Sequence, residues 1–81
     1  MWFVYILHCL DNSYYTGITT NLEKRLIKHQ SGRGGAYTQS HPPVKIIYSE
    51  QFPNRSQALR RESQVKKLTR IQKMALVDGK I

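Results

Sequence analysis

Eighty-one residues suffice for one domain at most, because a chain this short buries only about 60–65% of its unfolded surface and has nothing left for a second core. Hydrophobic residues at 40% and charged residues at 22% exclude a disordered chain, and the apolar start "MWFVYIL" is too short to span a bilayer and lacks a leader's basic n-region and cleavage site. Thirteen Lys and Arg against five Asp and Glu leave a net charge of +8, which places anionic partners first, nucleic acid ahead of an acidic membrane surface.

Residues 2–9 are nearly all apolar, so both faces of this first strand should be covered and its place should be central in a sheet. Its lone Cys9 excludes an internal disulfide and a cysteine zinc site, fits a reducing cytoplasm, and reads as core packing. Asp11-Asn12-Ser13 predicts a turn and Tyr14–Ile18 a partner strand. Thr20-x-x-Glu23 has the form of a capping box opening a helix over about 21–31, with Leu22 and Leu26 inward and Gly32 as its stop. The Gly, Ser and Pro loop "SGRGGAYTQSHPP" leads to a third strand, "VKIIYSEQF". Helical spacing returns through Ala58, Leu59, Glu62 and Val65, and Thr69-x-x-Gln72 predicts a second capping box and a short last helix. The order β-β-α-β-α-α predicts an α+β fold in which helices flank a three-stranded antiparallel sheet.

Several polar residues fall on faces that should be buried. Arg25 and His29 are i and i+4 neighbours at the edge of the Leu22/Leu26 stripe; a snorkelling Arg and a satisfied boundary His are the bland alternative. Glu62 projects between Ala58, Leu59 and Val65, and a carboxylate desolvated there needs a cation or a metal as partner. With Asp11, Glu23, Glu50 and Asp78 scattered, a multi-carboxylate cage is excluded, whereas one hydrated Mg²⁺ or Mn²⁺ held by Glu62 and substrate phosphate oxygens is compatible with the acids present. His8, His29 and His41 lack zinc-ligand spacing. The glycines around Arg33 could cradle a phosphate or form a plain loop, and Tyr37 after them could stack on a base or close that loop. Arg55, Arg60, Arg61, Lys66, Lys67, Arg70, Lys73 and Lys80 form a basic run over 55–80 suited to tracking a phosphate backbone, although any one of them fits a solvated helix face.

Tyr5 and Tyr15, ten positions apart in "VYILHCLDNSYYTGIT", read from pattern alone as core aromatics of a hairpin. Taken with Phe3-Val4-Tyr5, Tyr15-Thr16-Gly17, Arg25, His29 and a helical Glu62, the chain resembles the GIY-YIG nuclease domain, and its short length with "YTGIT", "NLEKRL" and "KKL" resembles the small UPF0213 group. The resemblance implies phosphodiester hydrolysis, and with it a DNA endonuclease or nuclease-like module of DNA repair or recombination. Tyr5 and Tyr15 would be its motif tyrosines, Arg25 its phosphate-contacting arginine, His29 a catalytic helper and Glu62 the ligand of one divalent ion. Phe3-Val4 stands where the family name has Gly-Ile, and no asparagine follows Glu62. A separate DNA-binding domain does not fit in this length, so a protein partner could supply target choice. The alternative, from another class, is a non-catalytic nucleic-acid-binding domain with the same fold. Either reading requires a hairpin register that sends both tyrosines to one face, with Tyr14 on the other.

Overall fold

The structure is a computed structural model, and it describes residues 1–33 and 40–81. Its elements run β1 (Trp2–Cys9), β2 (Tyr14–Thr19), α1 (Leu22–Gln30), β3 (Pro43–Phe52), α2 (Arg55–Lys66) and α3 (Arg70–Val77). The sheet order is β2-β1-β3 and both pairings are antiparallel, so the most apolar strand is the central one. Val4, Ile6, Leu7 and Cys9 are all fully buried, as expected of a strand covered on both faces.

Alternation along β1 divides the molecule into layers. Val4 and Ile6 face Ala58 and Val65 of α2 and Leu76 of α3, a cluster completed by Trp2, Tyr14, Ile18 and Phe52. The valine, isoleucine and leucine side chains each contribute about 1.5–3 kcal/mol by leaving water, which is what holds two short, strongly basic helices against the sheet. Tyr5 and Leu7 face the other way, toward the side from which α1 sends in His29. Register shifts in β1–β3 between Ile6/Leu7 and His8/Cys9 leave Ile47 and Val44 as extra residues on the β3 edge strand.

Helix ends follow local chemistry, with one departure. Thr69 and Gln72 form the expected reciprocal capping box of α3, and Asn54 caps α2 by accepting from Gln57 N at 2.9 Å. At α1, however, the N-cap is Asn21, whose Oδ1 accepts from Lys24 N at 3.0 Å; the Thr20/Glu23 box does not form. Asn21 outranks the threonine because its own backbone amide is already tied to Thr19 Oγ1 at 3.1 Å, which sets the extended geometry a cap needs. Gly32, at φ +80, follows the Ser31 C-cap and supplies the left-handed turn that ends α1.

Candidate active site

The β1–β2 ladder pairs Tyr5 with Gly17 and Leu7 with Tyr15. Directly opposed residues share a face, as do i and i+2 neighbours, so Tyr5, Tyr15 and Gly17 all lie on the α1 side. Tyr14 lies on the opposite side, packed on the core beneath the Arg70 guanidinium at 4.5 Å. Gly17 is what lets Tyr5 reach outward. A Cβ there would sit 2.5 Å from the Tyr5 hydroxyl and 2.8 Å from Cζ, so the tip of the ring lies directly on the backbone of edge strand β2. Hydrophobic pattern does not reveal this role of Gly17; its signal is a glycine inside a strand, two positions after Tyr15.

α1 brings two side chains to the same place. His29 is 1% exposed, and its Nε2 is 2.9 Å from the Tyr5 hydroxyl, while its ring meets Tyr15 edge-on at 5.2 Å between centroids. One turn earlier, Arg25 is close enough to hydrogen-bond the Tyr5 hydroxyl. Burial, reinforced by the neighbouring Tyr15, pushes the Tyr5 phenol well above the ordinary tyrosine range; Arg25 opposes the shift and Glu62 adds to it. Burial also lowers the His29 pKa, helped by Arg25 and Lys28, so the imidazole is neutral at pH 7. A neutral imidazole has one acceptor nitrogen and one donor, which makes it able to take the phenol's proton.

Glu62 approaches from α2. Its side chain is 16% exposed and one oxygen stands 3.4 Å from Lys66 Nζ, so the desolvated carboxylate finds its cation one turn along the same helix. Its negative charge also acts on Tyr5, adding to the rise in the phenol pKa. Among the described residues, no three His, Cys, Asp or Glu side chains form a metal cluster. A single hard carboxylate oxygen nevertheless fits a hard cation that keeps most of its waters, as Mg²⁺ does.

The remaining candidates are dispersed. Arg61 is built into the fold: its Nε is 3.0 Å from both Glu50 oxygens, Nη2 is 3.0 Å from Oε2, and Nη1 donates to Gln64 Oε1 at 3.1 Å. Tyr48 donates to the same carboxylate at 2.5 Å, so β3 and α2 are fastened by a network that engages all three Arg61 nitrogens and leaves one N–H on each terminal nitrogen. Arg61 thus has a structural partner beside its place in the basic run, and the signal was the acid of β3 on the face that α2 covers. Arg55 lies over the Trp2 ring at 5.8 Å, Lys67 caps α2 in solvent, and Arg33 is exposed just after α1. Tyr37 falls outside the described residues. Cys9 is buried and its thiol pKa is raised by burial, which makes it inert packing. Among the described residues, the Thr16 hydroxyl is a buried polar atom with no hydrogen-bond partner.

The chain matches known proteins in sequence and in fold. The GIY-YIG catalytic domain matches residues 1–75. A UPF0213 protein of Staphylococcus haemolyticus is 45% identical over 76 residues, covering 94% of this chain and 93% of its own. One from Clostridium perfringens is 51% identical over 78 residues, covering 96% and 84%. The solution NMR structure of a UPF0213 protein from Bacillus halodurans, 43% identical, superposes with a TM-score of 0.62 over 99% of this chain and 86% of that one. An E. faecalis NMR structure, 41% identical, gives 0.63 over 95% and 82%. No helix among the described residues is long and apolar enough to cross a membrane.

Proposed function

The chain belongs to the GIY-YIG family of nuclease domains, within its UPF0213 group, and from that membership and the site's geometry we propose that it is a divalent-metal-dependent nuclease acting on DNA, in repair or recombination. GIY-YIG nuclease domains bind nucleic acid and are generally dependent on a divalent metal. The observation that carries the reading is the Tyr5–His29 hydrogen bond at 2.9 Å beside Arg25 and within the field of Glu62.

The residues divide the work as follows. Arg25 donates toward the Tyr5 oxygen, which leaves the hydroxyl proton for His29 Nε2, in the tautomer protonated on Nδ1. As water attacks phosphorus, its proton passes to the Tyr5 oxygen and the phenol proton passes to His29. The pair thus acts as one base: Tyr5 stays neutral throughout, and His29 carries the positive charge as an imidazolium, balanced by the hydroxide equivalent added to phosphorus. A lone phenol would need its pKa lowered by roughly 3 units to serve near pH 7, about 4 kcal/mol. The relay to a neutral imidazole reduces that demand. The phosphorus–oxygen bond to the leaving group breaks as the new one forms, the departing oxygen takes a proton from solvent water while His29 returns its own to solvent, and Arg25 meets the charge on the non-bridging oxygens. Glu62 would hold one Mg²⁺ or Mn²⁺, which when bound supplies Lewis-acid neutralisation of those oxygens.

One observation favours a second reading, a non-catalytic nucleic-acid-binding domain: Tyr5 is 1% exposed and its ionisation is suppressed. Incubation with branched, single-stranded and duplex DNA, with and without Mg²⁺ or Mn²⁺, separates the two. Cleavage should vanish in Glu62→Ala and Arg25→Ala while salt-sensitive binding persists. Metal-independent or variant-resistant cleavage refutes the nuclease assignment, and binding with no cleavage in any condition selects the second reading.

A further inference from the structure

We propose that the cleft between the β1–β2 turn and the start of α3, lined by Ser13, Tyr14, Arg70 and Lys73, is a subsite for a backbone phosphate of the bound nucleic-acid strand, on the opposite side of β2 from the Tyr5–His29 pair. The inference deepens the nucleic-acid reading and rests on that part of it, but it does not depend on cleavage.

The cleft has a volume of about 150 Å³, below the about 300–1,000 Å³ of pockets that enclose organic ligands, so it suits a small charged group with one face in water. Its walls are cationic. The Arg70 guanidinium stacks on Tyr14 at 4.5 Å and donates to the Asn12 carbonyl, which fixes it over the cleft. Lys73 is half-buried, and burial and the charge of Lys66 both disfavour its ammonium form. Among the described residues, neither Arg70 nor Lys73 has a carboxylate within ion-pair distance. Asp11, the acid of the adjoining turn, is held by Ser13 Oγ at 2.6 Å and by His41 at 3.6 Å. Two cations brought together without an acid repel one another, and an anion between them reverses the sign of that interaction.

A strand of nucleic acid is the anion that also explains where the cleft lies. Lys66 connects the two places: it pairs with Glu62 and its charge reaches Lys73. Tyr14 and Tyr15 are consecutive on an edge strand, one facing the cleft and the other facing His29. A strand held at Arg25 that turns round the β2 edge therefore brings a neighbouring phosphate to Arg70 and Lys73.

The test is binding in EDTA, so that cleavage plays no part, using single-stranded DNA oligonucleotides across a salt series. Loss of one phosphate contact on a single strand should reduce the slope of log K against log salt by about 0.7. Lys73→Gln should show that reduction, Lys73→Arg should restore the slope, and the amide resonances of Ser13 and Lys73 should shift when oligonucleotide is added. Circular dichroism and the melting temperature of Lys73→Gln verify that it folds, and Arg70→Lys, which keeps the charge, provides a second reading of the same contact. An unchanged slope in Lys73→Gln overturns the proposal. So does a shift of Ser13 and Lys73 with inorganic phosphate but not with oligonucleotide, which would mark a small-anion site. If no DNA is ever cleaved while the slope still falls in Lys73→Gln, the nuclease assignment fails and the subsite stands.

Discussion

Gly17→Ala isolates the contact on which the candidate site is built. The backbone at Gly17 is not left-handed, so alanine is conformationally acceptable there and, in a strand, would ordinarily stabilise by roughly 0.5–1 kcal/mol. The new methyl carbon, however, would fall 2.5 Å from the Tyr5 hydroxyl, 2.8 Å from Cζ and 3.2 Å from Cε1, and the ring cannot swing aside because Tyr5 is 1% exposed and bonded to a His29 that is itself buried. Overpacking of this kind costs about 1–3 kcal/mol, so the expected sign is opposite to the propensity effect. For a domain of this size each kcal/mol lowers the melting temperature by roughly 4–8 °C. Urea denaturation measures the loss, and a double-mutant cycle with Tyr5→Phe assigns it: removing the hydroxyl takes away the nearest atom, so the double variant should be more stable than the sum of the singles by about 1 kcal/mol. A Gly17→Ala protein at least as stable as wild type, or a cycle additive within about 0.5 kcal/mol, would refute the packing of Tyr5 on β2.

Lys66→Met removes the cation that pairs with Glu62; an i,i+4 helix pair is worth about 0.3–0.5 kcal/mol, so calorimetry with Mn²⁺ should show binding tightened about twofold, and weaker binding would argue that Lys66 does not compete with the ion. Arg61→Lys loses the two-pronged grip on Glu50 and should destabilise by about 1–3 kcal/mol with no change in the salt slope of DNA binding; a reduced slope with unchanged stability would assign Arg61 to the phosphate track. Thr16→Val replaces an unpartnered buried hydroxyl with a methyl group of similar shape and should stabilise by about 1 kcal/mol, read as a raised melting temperature; a clear loss would reveal a partner for the hydroxyl. His29 has a folded pKa lowered by burial, Arg25 and Lys28, so the unfolded chain takes up its proton first as pH falls. The stability His29 contributes is complete above about pH 6.5 and is lost as pH drops through the depressed folded value, at up to about 1.4 kcal/mol per pH unit; His29→Gln should remove that slope from urea titrations, and an unchanged slope would place the titration elsewhere.

Strand order and layer count were legible because the signals were redundant: an apolar β1, turn residues at 11–13 and a capping box at Thr69 all agree with the observed elements. The α1 cap was not, since Thr20 and Asn21 are both good capping residues and the choice depends on Thr19 binding the Asn21 amide, a contact set by where β2 ends. At the site, helical periodicity placed Arg25 and His29 on one edge and alternation allowed Tyr5 and Tyr15 a common face, but only the observed register, Tyr5 against Gly17, brings them together. Arg61 shows the limit of reading charge from one dimension. It and Arg60 are adjacent and identical in type, yet Arg61 faces the Glu50 of β3 and is part of the fold. The Lys73 cleft was missed for a similar reason, because its lining joins residues 13–14 to residues 70 and 73 and no local pattern connects them.

The electrostatics of Tyr5 also set a condition on the nuclease reading. Its phenol is held neutral by burial, by Tyr15 and by Glu62, with Arg25 alone opposing. A substrate phosphate brings a further negative charge to the same place, which favours the neutral phenol again. Docking substrate against Arg25 therefore cannot by itself make Tyr5 a base. Two groups can shift the balance. His29, neutral and 2.9 Å away, can remove the proton without an isolated phenolate forming, and Glu62, which now pairs with Lys66, would hold a divalent ion if one binds. The first change relieves the tyrosine directly; in the second, a bound ion would supply positive charge that offsets the carboxylate's opposition to ionisation. On this account His29→Ala and Glu62→Ala impair the same proton transfer by different routes. Loss of His29 should steepen the dependence of the rate on high pH, whereas loss of Glu62 should abolish the response to metal.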